Sequence, residues 1–276
     1  WRKGKVEAPL SEVLAAGILG ISGWQPSEPL LDPLCGSGTF VIEAATQAAG
    51  LAPGLLRARK RKQGFFRFHD FDRELAKEIL FDLENRTKIP SGTFHASDLD
   101  PAVIQIAEQS AQLAGVAGAI KFSCNHFEAV TPESEHGLVL TNPPYGERLT
   151  QARAGAVFRR VGDWLKKSCA GWRAGVLVPV ELAKSIGLNP HRRVVLSNGP
   201  IDCRLVELVV HKDKVSGTFA GNKASEESKA ERLTSTKKTS RSLTDQIGDF
   251  RRRLAKRSRH LGRWARKQGI DAYRLY

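Results

Sequence analysis

The most constraining feature of this sequence is a short apolar run that passes through a glycine-rich turn into an apolar helix. The stretch reads PLLDPLCGSGTFVIEAATQAAG, where Leu30 and Leu31 are the predicted strand and residues 39–49 the predicted helix. A strand followed at once by a helix is typical of a parallel sheet, because the helix carries the chain back to the start of the next strand. The remaining chain must then supply further strands and helices to cover that sheet.

The rest of the chain keeps this alternation. Apolar spacing predicts helices from Pro9 to near Gly23, over 73–85, over 101–114 and over 156–169, and short strands in TFHASD, IKFSC, GLVLT and AGVLVPV. The last part, RRVVLSNGPIDCRLVELVVHK, has two strand-like runs joined by a turn at Asn198, which predicts an antiparallel hairpin. The expected fold class is α/β, a doubly wound, mostly parallel sheet with a terminal antiparallel hairpin.

Length and composition exclude several classes of protein. The 276 residues suffice for one full α/β domain with an appendage. No apolar run approaches the roughly 18 residues of a membrane span, and the first ten residues lack the apolar core of a signal peptide, so we expect a cytoplasmic protein. Four scattered cysteines without a CxxC pair predict neither a metal site nor a disulfide framework.

Positive charge is concentrated in the last quarter of the chain. Of the formal net charge of +14, residues 212–276 carry +11, with 18 Lys and Arg against 7 Asp and Glu. Residues 1–211 are therefore expected to form the main domain, 212–242 a flexible polar linker, and 243–276 a basic amphipathic helix. Such a segment either contacts polyanions through their phosphates or is a solvated linker.

The turn DPLCGSGT combines glycines with a helix N-terminus, an arrangement that lets a backbone approach a bound group. It matches neither GxGxxG nor the GxxxxGK[ST] phosphate loop, so neither a dinucleotide nor ATP is favoured. Asp98 ends the next predicted strand, where a carboxylate can accept hydrogen bonds from both hydroxyls of a ribose. Helix capping before Pro101 is the alternative for Asp98 and Asp100, and it fits Asp100 better.

The stretch TNPPYGERL follows the fourth predicted strand. An exocyclic amine on a nucleobase is a poor nucleophile, because its lone pair is delocalised into the ring. The side-chain oxygen of Asn142 and the carbonyl of Pro143, set apart by Pro144, could accept the two amine hydrogens while Tyr145 stacks on the base. A rigid turn is the alternative for an isolated Asn-Pro-Pro sequence, and the preceding two motifs favour catalysis.

A basic insertion, residues 57–72, separates the first motif from the second. It brings cations together with aromatic rings, a combination that suits RNA. The expected RNA-binding residues are Arg57, Arg59, Lys60, Arg61, Lys62 and, beyond the fourth strand, Arg148. We expect the rings of Phe65, Phe66 and Phe68 to belong mostly to the core.

These motifs, in this order, resemble a class I, S-adenosylmethionine-dependent methyltransferase of the amino-group-modifying kind. DPLCGSGTFVIEAA together with TNPPYGERL is similar to the RNA guanine-N(2) methyltransferases that carry a THUMP domain. The resemblance covers about residues 1–211 and implies a seven-stranded, Rossmann-like sheet, S-adenosyl-L-methionine as cofactor and no metal. It implies a cofactor site made by Asp32, Cys35, Gly36, Ser37, Gly38, Thr39, Asp98, Asp100 and His126. The target base would meet Asn142, Pro143, Pro144 and Tyr145.

The chain departs from the family pattern at one position, and more than one residue could take the place of the usual one there. The family commonly has an aspartate near the adenine ring, where this chain reads FSCNHF. His126 stands in that place, Asn125 is an alternative, and a surface turn residue is a third interpretation.

The resemblance also implies a substrate and missing neighbours. APLSEVLAAGILGISGW is similar to the guanine-N(2)-methylating half of bifunctional enzymes that modify large-subunit ribosomal RNA. The basic tail is similar to the start of their other half, which makes 7-methylguanosine, so 243–276 would open a following methyltransferase domain. We therefore expect a segment of a longer protein, lacking an N-terminal THUMP domain and most of a second methyltransferase domain. The alternatives are methylation of another planar amine, in transfer RNA guanine or DNA adenine, and a non-catalytic RNA-binding module.

Overall fold

The computed structural model describes residues 10–59, 64–145 and 151–211. Every described residue belongs to the unit Trp1–Gly217, and the unit Thr218–Tyr276 lies outside the described residues. The predictions of a linker over 212–242 and a basic helix over 243–276 therefore fall outside them too.

Seven strands form one mixed sheet. The strands are β1 (Leu30–Asp32), β2 (Phe94–Asp98), β3 (Ile120–Cys124), β4 (Leu138–Thr141), β5 (Arg173–Pro179), β6 (Arg192–Asn198) and β7 (Ile201–Val209), in the order β3-β2-β1-β4-β5-β7-β6. The pairs among β1 to β5 are parallel, whereas β7 runs antiparallel to both of its neighbours, β5 and β6. The expected doubly wound sheet with a terminal antiparallel hairpin is confirmed.

Six α-helices connect the described strands. They are α1 (Glu12–Ile21), α2 (Thr39–Ala48), α3 (Leu55–Arg59), α4 (Arg73–Asn85), α5 (Pro101–Ala114) and α6 (Gln151–Ser168), and short 3₁₀ segments lie at Gly64–Arg67, Ala117–Ala119, Phe127–Ala129 and Val180–Ile186. The predicted bounds of α4 and α5 are confirmed. Both helices have an aspartate cap at the N-terminus, which fixes where they begin. Asp72 accepts the backbone N–H groups of Glu74 and Leu75, and Asp100 accepts that of Ala102.

The first helix begins later than expected, and its buried face differs from the predicted one. Ser11 caps α1 by accepting the backbone N–H of Leu14, so the helix starts at Glu12 rather than at Pro9. The apolar spacing predicts a buried stripe of Leu10, Val13, Leu14, Gly17, Ile18 and Ile21. Ile18 is buried as expected, whereas Val13 is 82% exposed and Ala15 and Leu19, outside the stripe, are buried. The stretch EVLAAGILGI is apolar on several faces, so its spacing alone could not select the one that packs.

The core lies on both faces of the sheet. Alternating residues of one strand point to opposite faces, so Leu30 belongs to one hydrophobic cluster and Leu31 to the other. The first cluster packs the sheet against α1, α2 and α5, and the second packs it against α6. This double coverage is the reason that β1 and β4 are buried along their whole length.

The insertion is attached much more loosely. Helix α4 has no buried residue, and Phe68 is 66% exposed, although its ring was expected in the core. Phe66 packs edge-on against Phe71, with ring centroids 5.0 Å apart. The prediction was wrong for Phe68, because its ring lies at the rim of a surface cavity that α3, α4 and the insertion line, and not in the core of the sheet.

In the part of the chain that the structure describes, no helix is both long enough and apolar enough to cross a membrane.

Candidate active site

The polar ends of three neighbouring strands meet at one edge of the sheet. Strands β2, β1 and β4 are adjacent, and they end at Asp98, at Asp32 and immediately before Asn142. In a parallel sheet these carboxyl ends are where ligands bind. A cavity of about 430 Å³ opens there. Its lining comprises Leu10, Asp32, Leu34, Cys35, Gly36, Ser37, Thr39, Phe40, Asp98, Leu99, Asp100, Val103, His126, Phe127, Asn142, Pro144, Val157 and Arg160.

The glycine turn, residues 32–39, forms the floor of this cavity. Gly36 and Gly38 have φ angles of +52° and +75°, which favour glycine. A Cβ on Gly36 would meet no atom within 4 Å, so its backbone faces open space. A Cβ on Gly38 would lie 3.2 Å from the Cβ of Ala107 and 3.3 Å from Ile42. Gly36 therefore exposes its backbone to a ligand, whereas Gly38 lets α2 pack closely against α5.

Two buried groups of the turn are held in their neutral forms. Burial raises the pKa of the Asp32 carboxyl from 3.8 to about 8, although the backbone N–H of Leu34 donates to its Oδ1 at 3.3 Å and lowers it in part. Burial also raises the pKa of the Cys35 thiol well above its ordinary value. A cationic group brought into the cavity would favour the ionised form of Asp32.

The two acidic residues at the end of β2, Asp98 and Asp100, make different hydrogen bonds. Asp98 accepts the backbone N–H of Gly36 at 3.0 Å through Oδ2 and that of Asp100 at 3.2 Å through Oδ1. It thus ties the glycine turn to the end of β2 while facing the cavity. Asp100 accepts from Ala102 at 2.8 Å, which confirms the helix-capping interpretation, and it also lines the cavity.

His126 lies at the far end of the cavity and is held on several sides. Its ring stacks on Phe127 with centroids 4.9 Å apart. Nδ1 accepts the backbone N–H of Glu128 at 3.4 Å, and Nε2 is 3.2 Å from Nη2 of Arg160. Asn125 follows the end of β3 but is not among the lining residues.

Arg160 is fixed by a bidentate ion pair. Its Nε and Nη2 donate to the two carboxylate oxygens of Glu128 at 2.7 and 2.8 Å, and its guanidinium lies 5.5 Å from the ring centroid of Phe127. The hydrogen bond from Arg160 lowers the pKa of the Glu128 carboxyl. The pair joins α6 to the segment after β3 and orients His126 at this end.

The Asn-Pro-Pro-Tyr corner, residues 142–145, divides between the cavity and the core. Asn142 and Pro144 line the cavity, and Pro143 is buried. The side-chain Oδ1 of Asn142 is buried and has no hydrogen-bond partner among the described residues. A buried acceptor without a donor costs free energy, which a ligand with an N–H group would recover.

Tyr145 is turned toward the core. It is half-buried, packs against both hydrophobic clusters, and its phenol oxygen accepts a hydrogen bond from Nδ2 of Asn198 at 2.7 Å. It is not among the residues that line the cavity.

The cavity thus brings together every predicted cofactor residue except Gly38. Sequence reasoning missed Arg160, which no motif marks, because its contact with His126 arises only when α6 packs beside the segment Phe127–Ala129. It also missed the apolar lining residues Leu10, Leu34, Phe40, Leu99, Val103, Phe127 and Val157.

The residues predicted to bind RNA lie elsewhere or outside the described residues. Arg57 is exposed on α3, and only the backbone of Arg59 is described. Lys60, Arg61, Lys62 and Arg148 are outside the described ranges. Within those ranges, no group of three or more His, Cys, Asp or Glu side chains could hold a metal ion.

Known proteins resemble the chain over its whole length. It is 34% identical over 283 residues to a ribosomal RNA large subunit methyltransferase K/L from Shewanella baltica strain OS185, and 36% identical over 280 residues to the protein of that name from Shewanella loihica. All of the chain is covered in both comparisons, but it spans only 37% and 38% of the length of these relatives.

Solved structures share the fold. A protein assigned to the methyltransferases and crystallised with SAH has a TM-score of 0.67 and 26% identity, over 76% of this chain and 55% of the other. A protein from Listeria monocytogenes described as a predicted N6-adenine-specific DNA methylase has a TM-score of 0.64 and 27% identity, over 76% and 53%.

The lining of the cavity fits S-adenosylmethionine, the cofactor that the sequence resemblance implied. Gly36 presents open backbone, Asp98 a carboxylate, and Phe127 and Val103 apolar surface, a combination that suits a ligand with both polar and apolar parts. The family of RMKL-like methyltransferase domains matches residues 1–207. The chain belongs to this family of S-adenosylmethionine-dependent methyltransferase domains.

Proposed function

We propose that this chain transfers a methyl group from S-adenosylmethionine to the exocyclic 2-amino group of a guanine in large-subunit (23S) ribosomal RNA, in the cytoplasm. It would act as one half of a bifunctional K/L enzyme whose other half makes 7-methylguanosine. The name of the Shewanella relatives supports the ribosomal substrate. The guanine amine is supported by the resemblance of the sequence to guanine-N(2) methyltransferases.

The observation that carries this proposal is the unpaired oxygen of Asn142. It is a buried acceptor without a donor among the described residues, at the edge of the sheet where Asp98 and Gly36 lie. An amine has two hydrogens to donate, and an acceptor that takes one of them directs the nitrogen lone pair out of the plane of the base. The Pro143 carbonyl is proposed as the second acceptor, since the Pro144 ring leaves no backbone N–H there.

The cofactor is assigned to the remaining lining residues. When bound, it supplies a methyl group already activated on a sulfonium, so the protein has to provide alignment rather than a covalent intermediate. The turn residues Asp32, Cys35, Gly36, Ser37, Gly38 and Thr39 would hold its amino-acid part. Asp98 would accept from the ribose hydroxyls, and Asp100 would keep α5 in place beside it. His126, oriented by Arg160, would flank the adenine.

The target base must leave its helix to reach the corner, because a paired amine cannot present its lone pair. Tyr145 is proposed to contact the base through the part of its ring that the core leaves open. Arg57, Arg59, Lys60, Arg61, Lys62 and Arg148 are proposed to bind RNA phosphates.

One observation favours a second candidate, methylation of the 6-amino group of adenine. The Listeria structure, with a TM-score of 0.64, is described as a predicted N6-adenine-specific DNA methylase. The Asn-Pro-Pro-Tyr corner suits either amine, so the geometry of the acceptors does not separate the two substrates.

Replacing Asn142 by alanine tests the proposal. The variant should bind S-adenosylmethionine with nearly unchanged affinity while methyl transfer falls by about a hundredfold or more, the scale of losing one positioned polar group. The matched control is Asn189→Ala, which removes the same amide from an exposed position. Transfer at the wild-type rate in Asn142→Ala would end the assignment of Asn142.

A further inference from the structure

The hairpin of β6 and β7 forms a wall beside the Asn-Pro-Pro-Tyr corner. Thr141, the last residue of β4, pairs with Val176, and β5 continues to Pro179, which pairs with Cys203 of β7. At about 3.3 Å per residue, the sheet therefore reaches roughly 10 Å beyond the end of β4 on this side. The turn between Asn198 and Ile201 lies at the same edge of the sheet as the cavity.

Two residues of this wall reach the phenol of Tyr145. The Nδ2 group of Asn198 donates to its oxygen at 2.7 Å, and the thiol of Cys203 lies 3.6 Å from it. Cys203 is fully buried, and burial raises the pKa of its thiol, so the phenol has a neutral neighbour. Asn198 ends β6 opposite Ile201, so its amide is itself held by the sheet.

The corner is consequently fixed at both ends. At one end Thr141 is paired in the sheet, and at the other the phenol of Tyr145 is tied to Asn198. The two prolines between them have fixed φ angles. Asn142 thus belongs to a segment of four residues with little freedom, which is what an acceptor needs if it is to meet an amine without reorganising.

We propose that Asn198 is a positioning residue for methyl transfer, because its amide anchors Tyr145 and thereby holds the acceptor Asn142 in place. This inference rests on the proposed function of Asn142. It gives the hydroxyl of Tyr145 a task separate from stacking, which needs only the ring.

A double-mutant cycle between the two residues tests the anchor. Single-turnover methyl transfer and cofactor affinity are measured for the full chain, for Asn198→Ala, for Tyr145→Phe and for the double variant. Each single change should slow transfer by roughly tenfold, the scale of one lost hydrogen bond, and leave the cofactor dissociation constant within about twofold. The double variant should be no slower than Tyr145→Phe, because that change alone already removes the hydrogen bond from Asn198.

Two further variants separate anchoring from general damage. Asn198→Asp should recover most of the rate, because its carboxylate can accept the hydrogen of the phenol. Ser197→Ala, the exposed neighbour in the same strand, should transfer methyl groups at the wild-type rate. A merely structural role would lower the melting temperature and cofactor affinity together, and Asn198→Asp would then not restore the rate selectively.

The outcomes distinguish this inference from the proposed function. Wild-type transfer in Asn198→Ala or in Tyr145→Phe, or losses that add in the double variant, would overturn the anchor while leaving the Asn142 result intact. If Asn142→Ala also transfers methyl groups at the wild-type rate in the same assay, the proposed function fails as well. Should Asn198→Ala not fold, Tyr145→Phe decides, since a stacking role alone predicts no loss.

Discussion

Charged and aromatic residues are frequent both at the glycine-turn edge of the sheet and in the insertion with the helix α4 that follows it. The two regions differ in how far these side chains are buried and held in place. At the sheet edge, Asp32 is 2% exposed and Asp98 is tied to two backbone N–H groups. Phe68 of the insertion is 66% exposed, and α4, the helix that follows the insertion, has Phe81 64% exposed and no buried residue. The first region is positioned by strands and the second only by its own short helices.

This comparison indicates that functional groups with fixed spacing belong at the strand ends. Side chains at strand ends are fixed in position by the hydrogen-bonded sheet, so a carboxylate, a glycine turn and an amide lie at fixed distances from one another. Side chains of the insertion have no such support. They suit contacts that tolerate movement, such as those with RNA phosphates. Changes in the two regions should therefore differ in size and in the property that they alter.

The largest expected difference concerns stability. Phe94 in β2 is fully buried beside Trp24, whereas Phe81 in α4 is mostly exposed. Phe94→Ala should lower the free energy of unfolding by about 3–5 kcal/mol, and Phe81→Ala by about 0.5 kcal/mol or less. Urea unfolding of the two variants measures both. Equal losses would mean that the insertion is as firmly packed as the sheet.

The second-largest expected difference between the two regions concerns cofactor affinity. Asp98→Ala removes a carboxylate that orders the glycine turn and that we assign to the ribose. Hydrogen bonds to a charged group contribute about 1.5–3 kcal/mol, so the dissociation constant of S-adenosylmethionine should rise by about 10- to 100-fold. Asp82→Ala, the same change in α4, should leave it unchanged. Calorimetric titration of both variants checks this, and a similar loss in each would remove the contrast.

Burial of Asp32 predicts a pH dependence that an exposed carboxyl lacks. Its pKa is about 8 in the folded chain against 3.8 as the ordinary value, so the folded state holds a proton that the unfolded state releases. Stability must then fall as pH rises from about 4 to about 8, by up to roughly 1.4 kcal/mol per pH unit, and level off above that range.

Asp32→Asn removes this ionisation and is the matched variant. The unfolding free energy of the wild type, relative to that of Asp32→Asn, should decrease between pH 5 and pH 8. A difference that stays constant over this range, measured by chemical denaturation, would contradict the neutral carboxyl.

The smallest expected effect belongs to the insertion. Arg57→Ala should weaken RNA binding severalfold, and the slope of log affinity against log salt should fall by about 0.7 to 1, as for one lost phosphate contact. Lys121→Ala, on β3 where the ammonium pairs with Glu133, should change neither. An unchanged salt slope in Arg57→Ala would leave the insertion without its proposed task.

Local signals were enough to predict most of the fold. Asp72 and Asp100 cap α4 and α5, and Pro101 fits the first helical position, so the bounds of both helices could be read directly. The buried face of α1 could not be predicted in this way, because the sequence of this helix is apolar on more than one face. The exposure of Phe68 could not either, since nothing in the sequence says that the insertion has no core to join.

The same division holds at the candidate site. Asp32, Gly36, Asp98 and Asn142 follow strands that the sequence reveals, so their meeting at one edge could be predicted from topology. The contacts of Arg160 with His126 and of Asn198 with Tyr145 join residues 34 and 53 positions apart. Such contacts depend on how α6 and the hairpin pack, and no local pattern records them.

Identification of the methylated nucleoside is the sharpest test of methyl transfer to the guanine 2-amino group. The chain is incubated with S-adenosylmethionine carrying a labelled methyl group and unmodified large-subunit ribosomal RNA, and the RNA is then digested to nucleosides. We expect label in N2-methylguanosine, lost in Asn142→Ala and kept in Asn189→Ala. Label in methyladenosine, or label accepted only by DNA, small-subunit RNA or transfer RNA, would contradict it.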